Sequence, residues 1–477
     1  ASLHLPLHPA LLYPTTRKQD STLEKKVSDD MALTPVESAG DSAFKRASIT
    51  PRSFNASAIF ATALVLRIAL FQFPALATLL AGRVEISTPI TSFKRLSEGV
   101  FLYRNGVPPY DGGVFHQAPL LLGLFYPIIS SPLLVNVLYV ACDLFIGYML
   151  LQITVLKDKD SAKAPKIRQF GNKIEDPGMN GLKVATFYLF NPYTIASCIG
   201  RSTILYSNMA VVAGIWMGMK GNKGLAMFSV AAAAYLSLYP AMLIVPVILL
   251  LARNDTVQDQ KKKIALKCVA LFTGSLASLF LLSHVLVGSW DFFGSVYGTI
   301  LMVSDLTPNL GLFWYFFIEM FDQFRPFFIL VFQIHVFIFA APISIKLRNR
   351  PLFVSFLLCT VMGTFKGYPS FGDASLYLGL LPLCSEIFKY MRYSFLIVNL
   401  FLYSSLLAPI FWYLWVYVGS GNANFFYAIG LVYGIGEIIL MIDTTYALAR
   451  RDFEAQSPPE TSGEDPSLGW DREVVQK

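Results

Sequence analysis

The sequence predicts an all-α, polytopic integral membrane protein with about twelve transmembrane helices, and three observations carry that prediction. Hydrophobic residues make up 55% of the 477 and charged residues only 14%, with a mean hydropathy of +0.54. A soluble chain of this length needs far more charge to stay dispersed. The apolar residues lie in long runs, and hydrocarbon forces every backbone polar group in such a run to be satisfied internally, which selects helices. The alternating ten-residue segments of a β-barrel are absent. Aromatic content is 14%, with 39 Phe and 23 Tyr; Tyr suits bilayer interfaces, and Phe suits helix contacts and lipid-facing surface.

Three regions follow in order. Residues 1–55 are polar and rich in Ser, Thr and Pro, and read as a disordered cytosolic tail. Residues 56–450 form the multispan membrane domain, and residues 451–477 form a second disordered cytosolic tail. The first apolar run starts near Ala56, far from the N-terminus, and is long enough to span, so it reads as a signal anchor and not as a cleaved signal peptide. It covers 56–80 with Arg67 at its middle. Residues 83–118 predict an interfacial helix followed by a structured loop, and 119–156 predict one crossing broken at Pro127 and Pro132. Residues 184–252 are cut at Pro192, at Gly200–Ser202, at Lys220–Lys223 and at Pro240, which predicts about four kinked or tilted spans. Further spans are expected at 268–287, 325–345, 351–366, 375–388, 395–418 and 425–447.

Lys and Arg placement sets the orientation. The N-tail, 157–183, 253–267, 346–350, 389–392 and 450–451 carry the basic residues and are expected in the cytosol, with both termini there. Segments 83–118, 288–312, 367–374 and 419–424 then face the opposite side. The net charge of +7 is explained by this bias, and no nucleic-acid partner is expected. Two sequons, Asn55-Ala-Ser57 and Asn254-Asp-Thr256, fall on the cytosolic side and are expected to stay unmodified.

Catalytic motifs of soluble enzymes are missing: there is no GxGxxG, P-loop, HExxH or GxSxG. The five cysteines, Cys142, Cys198, Cys268, Cys359 and Cys384, sit in or beside apolar segments without metal-ligand spacing and read as small buried hydrophobes. No catalytic residue, metal or cofactor is expected. Ionisable residues inside spans are functional candidates by default. Arg67 and Asp143 fall near mid-membrane and are open to two readings, a buried pair or two unrelated groups with Arg67 snorkelling. Glu386, Glu437 and Asp443 lie at other depths, and His284 and His335 read as helix–helix hydrogen-bond partners.

Residues 187–203 read FYLFNPYTIASCIGRST. Asn191-Pro192 breaks a helix, and Arg201-Ser202 follows ten residues on. Polar groups at such a break either hold a polar lipid head or satisfy freed backbone, and both readings stay open. The stretch resembles the Asn-Pro…Ser-Arg-Gly pattern of GPI mannosyltransferases, multispan enzymes of the GT-C type. Those carry an acidic catalytic residue or pair in the first luminal loop. Here that loop has Glu85, Glu98 and Asp111, set apart and with no Asp-Glu or Asp-x-Asp cluster.

Further stretches decide between families: RVEISTPITSFKRLSEGVFLYRNGVPPYDGGVFHQAPL (83–120), SLYP (237–240), SWDFFGSVYGTILMVSDLTPNLGLFWYFFIEMFDQFRPFFILVFQ (289–333) and GSGNANFFY (419–427). Together they resemble the PIG-U family, the U subunits of GPI transamidase, over roughly residues 56–450. The resemblance implies a multispan ER membrane protein of GT-C-like fold. It implies a non-catalytic subunit recognising the GPI lipid, the C-terminal attachment signal, or both. It implies, as partners, the other transamidase subunits, including a cysteine-protease-like one that carries the chemistry, the GPI glycolipid and membrane phospholipids. The alternative is an active GT-C mannosyltransferase of GPI synthesis.

Asn422 and Asn424 are the candidate GPI contacts. An Asn amide offers two donors and an acceptor oxygen, suited to sugar hydroxyls and phosphates, and neighbouring Gly residues let backbone approach closely. Their i, i+2 spacing in an extended turn is expected to put both amides on one side. Turn chemistry alone is the competing reading. Asp305, Asn309 and Trp314 are candidates for lipid or partner contact. Lys261 and Lys262, with Lys263, are candidates for an anionic phospholipid on the cytosolic side, against the simpler reading of a topology signal.

Overall fold

The computed structural model describes residues 56–163, 177–253 and 257–456. The expected tail at 1–55, the asparagines of both sequons and residues 457–477 lie outside the described residues. Among the described residues nineteen α-helices follow one another: α1 (Ala56–Phe71), α2 (Pro74–Ala81), α3 (Phe93–Arg104), α4 (Pro119–Phe125), α5 (Pro132–Lys163), α6 (Pro177–Leu189), α7 (Pro192–Ile199), α8 (Ile204–Met219), α9 (Lys223–Ser237), α10 (Ile244–Ala252), α11 (Gln258–Val287), α12 (Thr299–Met302), α13 (Phe313–Glu319), α14 (Arg325–Ile338), α15 (Ala340–Lys346), α16 (Pro351–Phe365), α17 (Phe371–Leu380), α18 (Ser394–Tyr413) and α19 (Ala423–Gln456). Among the described residues there is no strand.

Proline and capping chemistry punctuate this run. Pro74, Pro119, Pro192 and Pro351 each open a helix, where a missing N–H costs nothing. Asn191 caps α7 by accepting from the backbone of Tyr193. Ser370 and Asp373 form a reciprocal capping box on α17, and Gly288 ends α11 in the left-handed conformation. The span expected over 56–80 is broken: α2 turns 90° from α1, because Pro74 cannot continue the preceding helix. The span expected at 375–388 is likewise split. α17 gives way to a tight 3₁₀ stretch, Leu381–Tyr390, with Pro382 near its start and non-helical backbone at Cys384.

Helices α5, α6, α8, α9, α10, α16 and α17 pack into a shared interior, while α18 pairs with α19. Nearly all of α16 is buried. At the α8–α17 crossing, a Cβ on Gly372 would collide with Ile204, and Asn208 Nδ2 donates to Gly372 O at 2.7 Å; only glycine allows that approach. The outer surface is apolar, as at Phe395, Val285 and Ile345. Among the described residues, five helices are long and apolar enough to cross a membrane, or six if the bent α1–α2 pair counts as one span. Five shorter apolar helices of 10–17 residues accompany them.

The buried ionisable residues find partners. Arg67 and Asp143, both fully buried, are joined Nε to Oδ2 at 2.5 Å. Arg67 also donates to Ala63 O and Leu189 O, and Tyr188 OH donates to Asp143 Oδ1 at 2.9 Å. The paired reading is therefore the one the fold adopts. Glu386 pairs with Lys157 at 2.8 Å, Glu437 accepts from Tyr377 OH, and Asp443 accepts from the backbone N–H of Arg392 and Tyr393 ahead of α18. The two histidines differ from expectation. His284 stacks flat on Trp290 at 4.2 Å, and His335 packs edge-on against Phe339 and Phe365; each ring is used for packing.

Candidate functional site: a loop-built end of the bundle

Long-range hydrogen bonds gather several loops at one end. Thr203 N donates to Thr91 O, Ser202 Oγ to Ile86 O, and Phe371 N to Glu85 O. His116 Nδ1 meets Ser295 O at 2.8 Å, and Asp305 N donates to Tyr368 OH. Segments 83–118, 202–203, 295–312 and 366–371 thus share a face.

Asp305 ties two of these loops together. Its carboxylate accepts from Arg95 Nη1 at 2.6 Å, and from the backbone N–H and hydroxyl of Thr307. Arg95 also donates to Val114 O. Burial alone raises a carboxyl's pKa, but the Thr307 bonds and Arg95 together outweigh it and hold Asp305 below its ordinary range. His116 Nε2 lies 4.0 Å from the same carboxylate. Burial outweighs its hydrogen bond to Ser295 and lowers its pKa, so the imidazole is neutral at pH 7, with Nδ1–H donating to the carbonyl.

Asn309 is buried and closes its own loop: Oδ1 accepts from Gly311 N at 2.7 Å and Nδ2 donates to Thr307 O. Gly311 lies so close to Pro369 that a Cβ would overlap its ring. Trp314 is buried among Trp415, Phe426 and Tyr427, and its indole N–H has no hydrogen-bond partner among the described residues.

Asn422 and Asn424 stand on this aromatic base. α18 loosens into a π-helical turn, Leu414–Val418, and Gly419 reverses the chain at φ +71°. Asn422 then caps α19, its Oδ1 accepting from Asn424 N at 3.1 Å and Phe425 N at 3.4 Å. Tyr315 OH donates to Asn424 Oδ1. Tyr315 stacks on Tyr427 at 4.6 Å, and Tyr427 OH reaches Leu312 O. Because α19 starts at Ala423, the two asparagines do not lie along an extended edge as the spacing suggested. Both side chains are exposed. Both amide oxygens are engaged, and neither NH₂ group has an acceptor among the described residues. The arrangement presents up to four N–H donors from a fixed base.

Lys261 and Lys262 begin α11, whose other end leads through Gly288 into the 288–312 loop. At about 1.5 Å per residue the helix sets them tens of ångströms from Gly288. Other ion pairs bridge distant elements: Arg253–Asp160 at 2.5 Å and Arg350–Asp452 at 2.8 Å. Of the carboxylates that a mannosyltransferase would need, Glu85 is buried and held by Arg83 at 2.7 Å. Glu98 and Asp111 are exposed, without a hydrogen bond or ion pair among the described residues.

Sequence reasoning missed Arg95, His116 and Tyr315. Arg95 and Asp305 are 210 residues apart, and Tyr315 and Asn424 are 109 apart. No local spacing signals such pairs.

Comparison with known proteins shows what the chain as a whole is similar to. The family model described as GPI transamidase subunit PIG-U matches residues 61–433. A human protein named GPI-anchor transamidase component PIGU is 39% identical over 409 residues, covering 83% of this chain and 94% of its own. GPI transamidase component GAB1 of Saccharomyces cerevisiae is 38% identical over 391 residues, covering 81% and 92%. Its homologue in Schizosaccharomyces pombe is 32% identical, covering 80% and 91%.

Proposed function

The chain belongs to the PIG-U family, and we propose that it is a non-catalytic subunit of GPI transamidase that holds the GPI glycolipid beside another subunit's active site. The observation that carries this reading is the pair of free amide NH₂ groups of Asn422 and Asn424. They are donors aimed at acceptors, and a GPI headgroup is dense in acceptors: sugar hydroxyls and phosphates. Their oxygens are already taken by the α19 cap and by Tyr315, so the donors are held in place before any ligand arrives. The five cysteines are all buried, which suits packing and not attack on a peptide, and supports leaving catalysis to a partner subunit.

The reading includes an ER membrane setting, partnership with the other transamidase subunits and a lumen-facing site. It includes about twelve crossings of GT-C-like arrangement, made of the five long helices, the bent α1 and six shorter or broken elements between them. Support for the orientation comes from agreement between independent signals. Lys/Arg placement assigns 83–118, 288–312, 367–374 and 419–424 to one side; the first three are joined by the hydrogen bonds described above, and 419–424 bonds to Tyr315 in α13, the helix that directly follows 288–312.

Cells lacking the native subunit, complemented with Asn422→Ala/Asn424→Ala, provide the test. The expected outcome is an assembled complex, about tenfold less surface GPI-anchored protein, and accumulation of complete GPI with uncleaved precursor. Surface display at wild-type level refutes the assignment. Accumulation of incomplete GPI glycans instead would point to a mannosyltransferase.

A further inference from the structure

Arg201 occupies a place where the backbone calls for glycine. At the end of α7, Ser202 N donates to Ser197 O and Arg201 N to Cys198 O, the paired bonds of a Schellman motif. Arg201 is the residue after the cap, at φ +52°. A side chain in that left-handed position costs about 1 kcal/mol relative to glycine. Strain kept at a defined position calls for a use of the side chain.

Three chain segments converge on that side chain. Its Nε donates to Asn136 Oδ1, at the start of α5, at 2.9 Å. Its guanidinium carbon lies over the ring of Phe71, at the end of α1, at 5.7 Å, and over Phe93, at the start of α3, at 5.4 Å. The four N–H groups on Nη1 and Nη2 have no acceptor, and no carboxylate lies in ion-pair range, among the described residues. Arg67, one helix away, bonds through all three of its nitrogens. Arg201 is half-buried, so its free edge is reachable. Its surroundings are divided. Ile68, Phe73, Leu133, Leu134 and Val137 are exposed apolar side chains on the elements that hold it. On the other side, Ser202 and Thr203 are bonded to the polar 83–92 loop.

We propose that Arg201 seats the phosphodiester of a membrane lipid whose acyl chains lie along the α1–α5 surface. A planar guanidinium with two open nitrogens matches two phosphate oxygens, and its setting between apolar surface and polar loop matches the depth of a lipid phosphate. The site is built from different elements than the Asn422–Asn424 turn and does not depend on that reading. The phosphodiester can belong to a bulk phospholipid or to the phosphoinositol of a GPI lipid.

Native mass spectrometry of the assembled complex tests this. The probes are dioleoylphosphatidylinositol, dioleoylphosphatidylcholine and dioleoylglycerol, which share acyl chains but not the phosphate. Wild-type complex should retain both phospholipids over dioleoylglycerol, and Arg201→Gly and Arg201→Gln should each cut that preference about tenfold. Arg201→Lys should keep part of it. Arg201→Gly relieves the backbone strain, so its thermal midpoint should hold or rise, which separates lost binding from lost folding. A GPI precursor that displaces the phospholipids from wild type, but has no such effect in Arg201→Gly, would identify GPI as the source. Phospholipid retained at saturating precursor would identify bulk lipid. Equal retention of phospholipid and dioleoylglycerol by wild type, or wild-type retention by a stably folded Arg201→Gly, overturns the proposal.

Discussion

The knot around Arg67 and the turn at Asn422–Asn424 spend their polar groups in opposite ways. In the knot, each Arg67 nitrogen has an acceptor and each Asp143 oxygen a donor, all inside the bundle. In the turn, the amide oxygens are used internally, and the NH₂ groups have no acceptor among the described residues. A charge at mid-membrane invites a functional reading, yet saturation marks Arg67 as structural. The modest amides keep unspent capacity, and that distinguishes a site from a joint.

The comparison breaks most visibly at the knot. Asp143→Ala strands a buried guanidinium and should cost about 3–5 kcal/mol, read as loss of assembled complex and a lowered thermal midpoint. Arg67→Met/Asp143→Leu removes both charges and should recover most of that loss; failure to recover would give the pair a role beyond packing. The Arg95–Asp305 bridge comes next. Asp305→Asn should cost about 1–3 kcal/mol at pH 7. Because the folded carboxyl titrates below its ordinary value, its contribution is complete above the unfolded pKa near about 4 and fades as pH falls through the lower folded value. The gap between wild type and Asp305→Asn in thermal scans should therefore be constant from pH 7 to about pH 5 and shrink below about pH 4. A gap that grows on acidification contradicts this account.

The turn gives the sharpest contrast at smaller energetic cost. Asn422→Ala should lower stability by about 1 kcal/mol through the lost cap. Asn422→Asp/Asn424→Asp keeps both acceptor oxygens, so the cap and the Tyr315 bond persist, but it deletes all four N–H donors. Stability should match wild type while GPI attachment falls as far as in the double alanine variant. If attachment survives, donor chemistry is not what the turn contributes. The smallest effect on stability is expected at Lys261→Ala/Lys262→Ala: none, with weaker retention of anionic phospholipid by about 1 kcal/mol per lysine.

Much of this was legible in the chain. The helical membrane class, the Arg67 and Asp143 candidates and the asparagine-bearing turn all follow from apolar runs, charges within them and Gly-rich punctuation. The breaks were legible where proline announced them, as at Pro74 and Pro192. The bonds that assemble the loop end were not. Arg95 read as one basic residue among several, and nothing near it in sequence signals Asp305. Asn309 and Trp314 read as contact residues in the sequence, while in the fold Asn309 bonds within its own loop and Trp314 packs in an aromatic base, because burial is decided by distant elements. The extended-turn expectation for Asn422 failed for a local reason: an asparagine oxygen ahead of an apolar helical run is a good cap, and capping starts the helix one residue later.

The bond from Tyr315 to Asn424 also sets a schedule for biosynthesis. The two residues are separated by 109 positions, and Asn424 belongs to the last described helix. At about 5–20 residues per second, a ribosome needs roughly 5–20 s to get from one to the other. Through that interval α13 stands without its partner, and a chain truncated before Asn422 never acquires it. The glycolipid turn is thus completed only when the final helix is in place, so a half-made subunit has no finished turn to offer.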